Sequence, residues 1–244
     1  MRIAILSDAG TWKNPPIARW AEDLARAGDQ VVCLHEAEQI PDGDVLFILG
    51  FCQIVPQDML KRNKNNIVVH ESALPKGRGW SPMTWQVLEG ATEIPLTLFE
   101  AAAKVDAGKI YLRGRVSLAG DELLPEIRAK VVAEMIRLCR EFIASYPEIL
   151  KHGVDQEGEA TYYPKRNPEH SRLDPKRSIE EQFDLLRIVD NRAYPALLAI
   201  RGATYVVKIE RSGSEICPPV QQSASVPSPS SLPGGQRGQY VADL

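Results

Sequence analysis

An α/β fold built on a doubly wound, mostly parallel sheet is what the sequence predicts, and three observations predict it. Apolar runs rich in β-branched residues recur at Arg2 to Ser7, Gln30 to His35, Asp44 to Leu49 and Asn66 to Val69, as in strands buried on both faces. A helical stretch separates the first two; Pro15-Pro16 fits its first turn and Gly28 stops it. Strands that alternate with helices in this way assemble a parallel sheet.

At 244 residues, 44% hydrophobic and 25% charged, the chain buries a full core and has an ordinary globular composition. The length fits one large domain with a small appendage. A net charge of -3 lacks the basic surplus of a dedicated nucleic-acid binder. Cys33, Cys52, Cys139 and Cys217 are far apart with no Cys-x-x-Cys pair, so free buried thiols are expected rather than a metal site or disulfides. No apolar run has membrane-spanning length, and Met1 to Ser7 reads as a strand rather than a signal peptide; a cytoplasmic enzyme without membrane or nucleic-acid partners is expected.

In chain order, the loop Asp8 to Asn14 opens at the carboxyl edge of the sheet, where open parallel sheets carry their chemistry. It has only Gly10, not the Gly-x-Gly-x-x-Gly of a dinucleotide site. Trp12 there either stacks on a sugar or base or closes the sheet edge, and Asn14 stands beside it as a substrate contact. Gly50 to Pro56 follows the third strand, with Pro56 fitting a first helical position. His70 ends the next strand, Leu74-Pro75 closes it, and Lys76-Gly-Arg-Gly79 forms a loop whose backbone approaches a ligand closely. Ser81 caps a helix through Glu89 that Gly90 ends. Ile94 to Glu100 and Lys109 to Val116 are further strands, and the turn at Val105-Asp-Ala-Gly108 between them brings Asp106 back beside His70.

From Glu122 to about Ile149, apolar residues recur at Leu123, Ile127, Val131, Met135, Leu138, Phe142 and Tyr146, a helical core stripe. Thr161 to Asp174 is an irregular loop. Ser178 and Glu181 form a capping box for a helix, and Ala196 to Lys208 is a strand pair across Arg201-Gly202. Ser212 to Leu244 is rich in Pro, Ser, Gly and Gln, with charges only at Glu215, Arg237 and Asp243, and reads as a disordered tail.

His70, Ser72, Leu74-Pro75, Arg78-Gly79, Pro82, Trp85, Gly90, Thr97, Asp106, Gly108 and Ile110 together resemble the signature of the folate-dependent formyltransferases. One member differs. The Asn that the family places two residues before its His, and that makes its oxyanion contact, is Val68 here. Tyr162, Pro164, Arg166, Pro168 and Glu169, with the Gln182 to Ala196 pattern, resemble the sugar N-formyltransferases in particular.

The resemblance implies a Rossmann-like formyltransferase fold. Residues 1–150 are the catalytic domain, 151–211 a small C-terminal α+β appendage of loop, helix and hairpin, and 212–244 the tail. It implies N10-formyltetrahydrofolate as co-substrate, contacted by Phe51, Gln53, Ile54, Val55, Arg78, Gly79 and Thr97, and no metal. The acceptor is then a nucleotide-linked 4-amino-4,6-dideoxy sugar, a UDP-linked altrosamine derivative being one candidate, held by Trp12, Asn14, Lys76, Tyr162 and Arg166. The mechanism assigns His70 to take the amine proton or stabilise the adduct, with Asp106 orienting it. Ser72 and Glu71 are the candidates to cover for Val68, since Asn66 lies about 6–7 Å further from the sheet edge.

A glycinamide ribonucleotide-type formyltransferase is the nearest rival, and would not need the segment after about residue 150. A methionyl-tRNA formyltransferase would carry a basic RNA-binding domain in place of the polar tail. A non-catalytic folate or nucleotide-sugar binder would explain Val68 but not the retained His70 and Asp106. A homodimer through the C-terminal part is a further expectation.

Overall fold

The computed structural model describes residues 1–102 and 105–212. Strand β1 (Arg2–Leu6) leads through α1 (Asn14–Arg26) to β2 (Gln30–Leu34), and β3 (Gly43–Ile48) is followed by the single-turn α2 (Gln57–Leu60) and β4 (Asn63–His70). A short β5 (Arg78–Gly79) and α3 (Pro82–Leu88) come before β6 (Glu93–Glu100), β7 (Ile110–Ser117) and the long α4 (Leu124–Ala144). Beyond it lie β8 (Tyr162–Tyr163), β9 (Arg172–Leu173), α5 (Phe183–Ile188) and the hairpin of β10 (Ala196–Ile200) and β11 (Ala203–Val207).

The central sheet has the order β2-β1-β3-β4-β6-β7. Its first four strands are parallel, and β6 runs antiparallel to β4 and β7. Alternate residues of the buried strands feed two cores, because successive side chains of a strand point to opposite faces. Ile3, Ile5, Phe47, Ile67 and Val69 pack with Trp20 of α1 and Met135 and Phe142 of α4. Ala4, Leu6, Leu46 and Ile48 pack on the other side with Ile40, Val55 and Leu60. The stripe expected on α4 is buried at Ile127, Val131, Met135, Leu138 and Phe142.

Several boundaries differ from expectation for identifiable reasons. Strand β4 begins at Asn63, inside the Lys/Asn cluster, because each polar side chain there finds a partner. Asn63 Nδ2 donates to Pro41 O at 3.0 Å, Lys64 pairs with Asp44 at 2.7 Å, and Asn65 Nδ2 donates to Glu100 at 3.1 Å. Pro56 is the N-cap of α2 rather than its first residue. Ser81 stands at the N-cap of α3 in the left-handed region (φ 48°), and its side chain makes no capping bond. The Ser178–Glu181 box forms reciprocally, Glu181 N to Ser178 Oγ at 3.2 Å and Ser178 N to Glu181 Oε2 at 2.8 Å. The helix it opens is nevertheless only a 3-10 turn followed by α5.

Of the cysteines expected to be buried, Cys139 is buried and Cys33 and Cys52 are exposed; Cys217 lies outside the described residues. The hairpin turns at Arg201 (φ 52°) and Gly202 (φ 80°) as anticipated, and β9 joins β10 in parallel. Met1–Glu210 forms one compact unit. The expected tail lies, apart from Ser212, outside the described residues. Among the described residues, no helix is long and apolar enough to cross a membrane.

The start of α4 carries a testable charge. Glu122 is 5% exposed and accepts from Ala119 N at 2.8 Å, Gly120 N at 3.0 Å and Lys130 Nζ at 2.5 Å. Burial works to raise its carboxyl, but the Lys130 bond and the backbone N–H groups outweigh it and bring the pKa from 4.5 to about 2. A carboxyl depressed in the folded state adds stability above its ordinary pKa and loses that contribution as pH falls through the folded value. Glu122→Gln is therefore expected to cost about 1–3 kcal/mol in denaturant unfolding at pH 7. The gap from wild type should close between pH 4.5 and about 2, and a gap independent of pH over that window would contradict this account.

Candidate active site

Strands β1, β3 and β4 end together, and the loops that leave them surround a cavity of about 910 Å³. Trp12, Phe51, Gln53, Ile54, Val55, His70, Glu71, Gly79 and Asp106 line it, together with Val68. The volume suits a large organic ligand. Ile54 is 79% and Val105 58% exposed, yet both face this cavity. They offer apolar surface to whatever ring system enters, and Phe51 and Phe99 line the same space.

His70 is buried at the end of β4, with Nε2 2.9 Å from Gly77 O. A carbonyl oxygen only accepts, so Nε2 carries the proton, and in the neutral ring Nδ1 holds the free lone pair. Asp106 does not pair with His70 as the sequence reading anticipated. Its Oδ2 accepts from Gly79 N at 3.4 Å, and its backbone is in the left-handed region (φ 53°). The physical reason is a clamp the sequence did not disclose. Gln156 Nε2 donates to Asp106 O at 2.9 Å and Gly108 O at 3.0 Å, while Gln156 Oε1 accepts from Arg78 at 2.6 Å. The turn is thus fastened to the Arg78-Gly79 segment, with Asp106 and His70 sharing the cavity wall.

Other expected site residues serve the scaffold. Thr97 is fully buried and donates to Ser72 O at 2.7 Å; Ser72 Oγ donates to Lys76 O at 2.8 Å. Asn14 holds the β1–α1 loop through Asp8 O at 3.0 Å and Ala9 O at 2.9 Å, and accepts from Ser7 Oγ at 2.7 Å. Arg78 is buried with its Nε unpartnered among the described residues. Arg166 folds back on His170 O and on Ser171 Oγ at 2.8 Å, and burial lowers its pKa. Lys76 and Tyr162 are exposed. None of these seven lines the cavity.

The sequence reading missed Lys13. It lines the cavity at 7% exposure, its Nζ 2.5 Å from Glu71 Oε1 and 5.3 Å from the Trp12 ring centre. Arg128 approaches the same ring at 5.4 Å and pairs with Asp190 at 3.0 Å. Burial works to raise the Glu71 carboxyl, but the charge of Lys13, the nearby His70 and the Lys13 hydrogen bond hold it below the usual range. A lone Lys in a loop carries no signal in sequence, because its partner is 58 residues away.

The formyl transferase family model matches residues 25–137. The matched segment carries His70 and Asp106, and the protein is a formyl-transferring enzyme. Solved structures share the fold at low identity. Methionyl-tRNA formyltransferase from Clostridium thermocellum matches with TM-score 0.70 and 18% identity, over 88% of this chain and 95% of its own. A 4-N formyltransferase from Francisella tularensis matches at 0.69 and 17%, over 87% and 98%. HypX from Aquifex aeolicus in complex with tetrahydrofolic acid matches at 0.67 and 19%, over 86% of this chain and 37% of that one.

Proposed function

We propose that the protein moves a formyl group from N10-formyltetrahydrofolate to the amine of a nucleotide-linked amino sugar. The observation that carries the sugar reading is how residues 161–164 meet the site. The segment whose pattern resembles sugar N-formyltransferases forms β8 and pairs in parallel with β5, directly beside the His70 contact at Gly77. Gly77 N donates to Thr161 Oγ1 at 2.8 Å, Arg78 N to Thr161 O at 2.9 Å and Trp80 N to Tyr163 O at 3.1 Å, while Trp85 Nε1 donates to Pro164 O at 2.9 Å. A glycinamide ribonucleotide-type enzyme would not need this segment. Among the fold neighbours, a 4-N formyltransferase supports the formyl-transfer reading, and HypX in complex with tetrahydrofolic acid supports a folate co-substrate.

The donor, when bound, supplies an activated formyl carbon. Phe51, Gln53, Ile54 and Val55 on one lip and Val105 on the other fit a flat ring system. The amine nitrogen forms a bond to the formyl carbon, the bond from that carbon to the donor nitrogen breaks, and one proton passes from amine to donor without change of oxidation state. Nδ1 of His70 is the nitrogen free to accept that proton, and Asp106 presents a carboxylate on the same cavity wall.

The test is formyl transfer from N10-formyltetrahydrofolate to a panel of UDP- and dTDP-linked 4-amino sugars, the altrosamine derivative among them, with glycinamide ribonucleotide as the rival acceptor. Turnover on one sugar names the substrate, and turnover on glycinamide ribonucleotide alone replaces the reading. Val68, apolar on the cavity wall, favours a second reading as a binding protein. Folate and sugar binding without product from any acceptor would establish that instead.

A further inference from the structure

The cavity wall has an apolar Val68 where a side-chain donor would be needed, and the two substitutes adjacent to it do not serve. Ser72 spends its hydroxyl on Lys76 O and does not line the cavity. Glu71, as an ionised carboxylate, only accepts hydrogen bonds. Asn66 donates to Leu60 O at 3.1 Å and does not line the cavity.

We infer that Lys13, held by Glu71, is the donor that meets the negative charge developing on the formyl oxygen as the amine adds. The inference rests on the formyl-transfer reading above. Three observations carry it. Lys13 is the buried cation of the cavity wall, and of its three N–H groups one is given to Glu71; no second acceptor appears among the described residues. Its stem crosses the end of β3 over Gly50, where a Cβ would lie 2.9 Å from Cδ and 3.3 Å from Nζ. Gly50, at φ 76°, leaves the passage open and brings the ammonium to the edge where β3 and β4 end. Glu71 follows His70 directly in sequence, so the residue that anchors the ammonium is tied to the residue that takes the proton.

In this arrangement Lys13 is the catalytic group and Glu71 a positioning residue. A donor fixed before the reaction needs no reorganisation when charge appears, which is why such donors act mainly on turnover. The ion pair also keeps either charge from being buried alone, which would be strongly destabilising.

The experiment compares wild type with Lys13→Met, Lys13→Met/Glu71→Gln, Glu71→Gln and Lys13→Met/Val68→Asn, using the acceptor the panel identifies. The double Lys13/Glu71 variant leaves no carboxylate stranded and serves if the single one does not fold. Loss of Lys13 is expected to lower kcat about 10²–10³-fold. The donor KM and the Kd for tetrahydrofolate, read by tryptophan fluorescence, should move less than about threefold, since the interaction is made only as charge develops. Glu71→Gln, which keeps the ammonium but loosens its anchor, is expected to cost about 10–100-fold in kcat with the same unchanged KM. Val68→Asn should return at least about tenfold of the turnover lost in Lys13→Met, because it restores a donor on the wall. An active wild type with Lys13→Met/Glu71→Gln within threefold of it, a loss that falls on tetrahydrofolate affinity, or no rescue by Val68→Asn would overturn the inference while leaving formyl transfer standing. A wild type inactive on every amine would remove the formyl-transfer reading and this inference with it.

Discussion

His70→Asn is expected to lower turnover about 10²–10⁴-fold, the range over which a positioned proton acceptor contributes, while the protein still folds. The imidazole is fixed by one bond, Nε2 to Gly77 O at 2.9 Å, and the Asn amide keeps an N–H for that carbonyl. What the substitution removes is the basic nitrogen. Because Nε2 is committed to a carbonyl, the proton taken from the amine goes to Nδ1, and no other neutral nitrogen base of a side chain lines the cavity among the described residues. Steady-state kcat with N10-formyltetrahydrofolate and the acceptor found in the panel, together with thermal melting, decides the matter. Turnover within threefold of wild type would show that His70 serves structure through Gly77 and leaves proton transfer to another group.

Gly108→Ala is expected to destabilise the protein by at least about 3 kcal/mol and to abolish turnover. A Cβ at this position would lie 1.7 Å from Glu100 O and 2.8 Å from Glu100 C. Both are backbone atoms of β6, whose N–H at Glu100 is bonded to Lys109 O at 2.9 Å. Neither side can retreat without parting β6 from β7. The turn would have to move instead, taking with it the two carbonyls that Gln156 holds and the Asp106 carboxylate. Gly120→Ala is the comparison. Gly120 has φ 100° with nothing within 4 Å of a Cβ, so only conformational strain is added, worth about 1–2 kcal/mol. Equal losses for the two variants in denaturant unfolding would contradict the steric account.

The same contrast shows what could be read from the chain. The strands β1, β3 and β4 and helix α4 were legible because burial imposes a local pattern; β2, an edge strand, is mostly exposed. A strand covered on both faces must be apolar throughout, as Ile3 to Leu6 and Val45 to Ile48 are, and a helix with one covered face must repeat its apolar residues at helical spacing, as Ile127 to Phe142 do. Gly108 was legible for a related reason, since only a missing Cβ permits the contact with Glu100 and the motif around it preserves that spacing. Boundaries were less so. The Lys/Asn cluster before Asn66 looks like a loop, and it extends β4 because Asp44, Pro41 and Glu100 supply partners that no local window contains.

The site divided along the same line. Local sequence placed His70 at a strand end and the segments 50–55 and 78–79 at the sheet edge, and all of these reach the cavity wall except Arg78. The pairing of side chains was decided only by the tertiary structure. Thr97, Ser72 and Asn14 have the chemistry of ligand contacts, but nearby carbonyls claim their donors first. Asp106 is held by Gln156 from 50 residues away, and Lys13 meets Glu71 across 58. What the sequence determined by itself was the sheet and its carboxyl edge, because burial and backbone geometry act on neighbouring residues; the class of chemistry expected there was implied by the resemblance of the motif from His70 to Ile110. What the tertiary structure decided was which donors and charges remain free at that edge. Hydrogen bonds and ion pairs form between whichever groups the fold brings within about 3 Å, and those groups are distant in the chain.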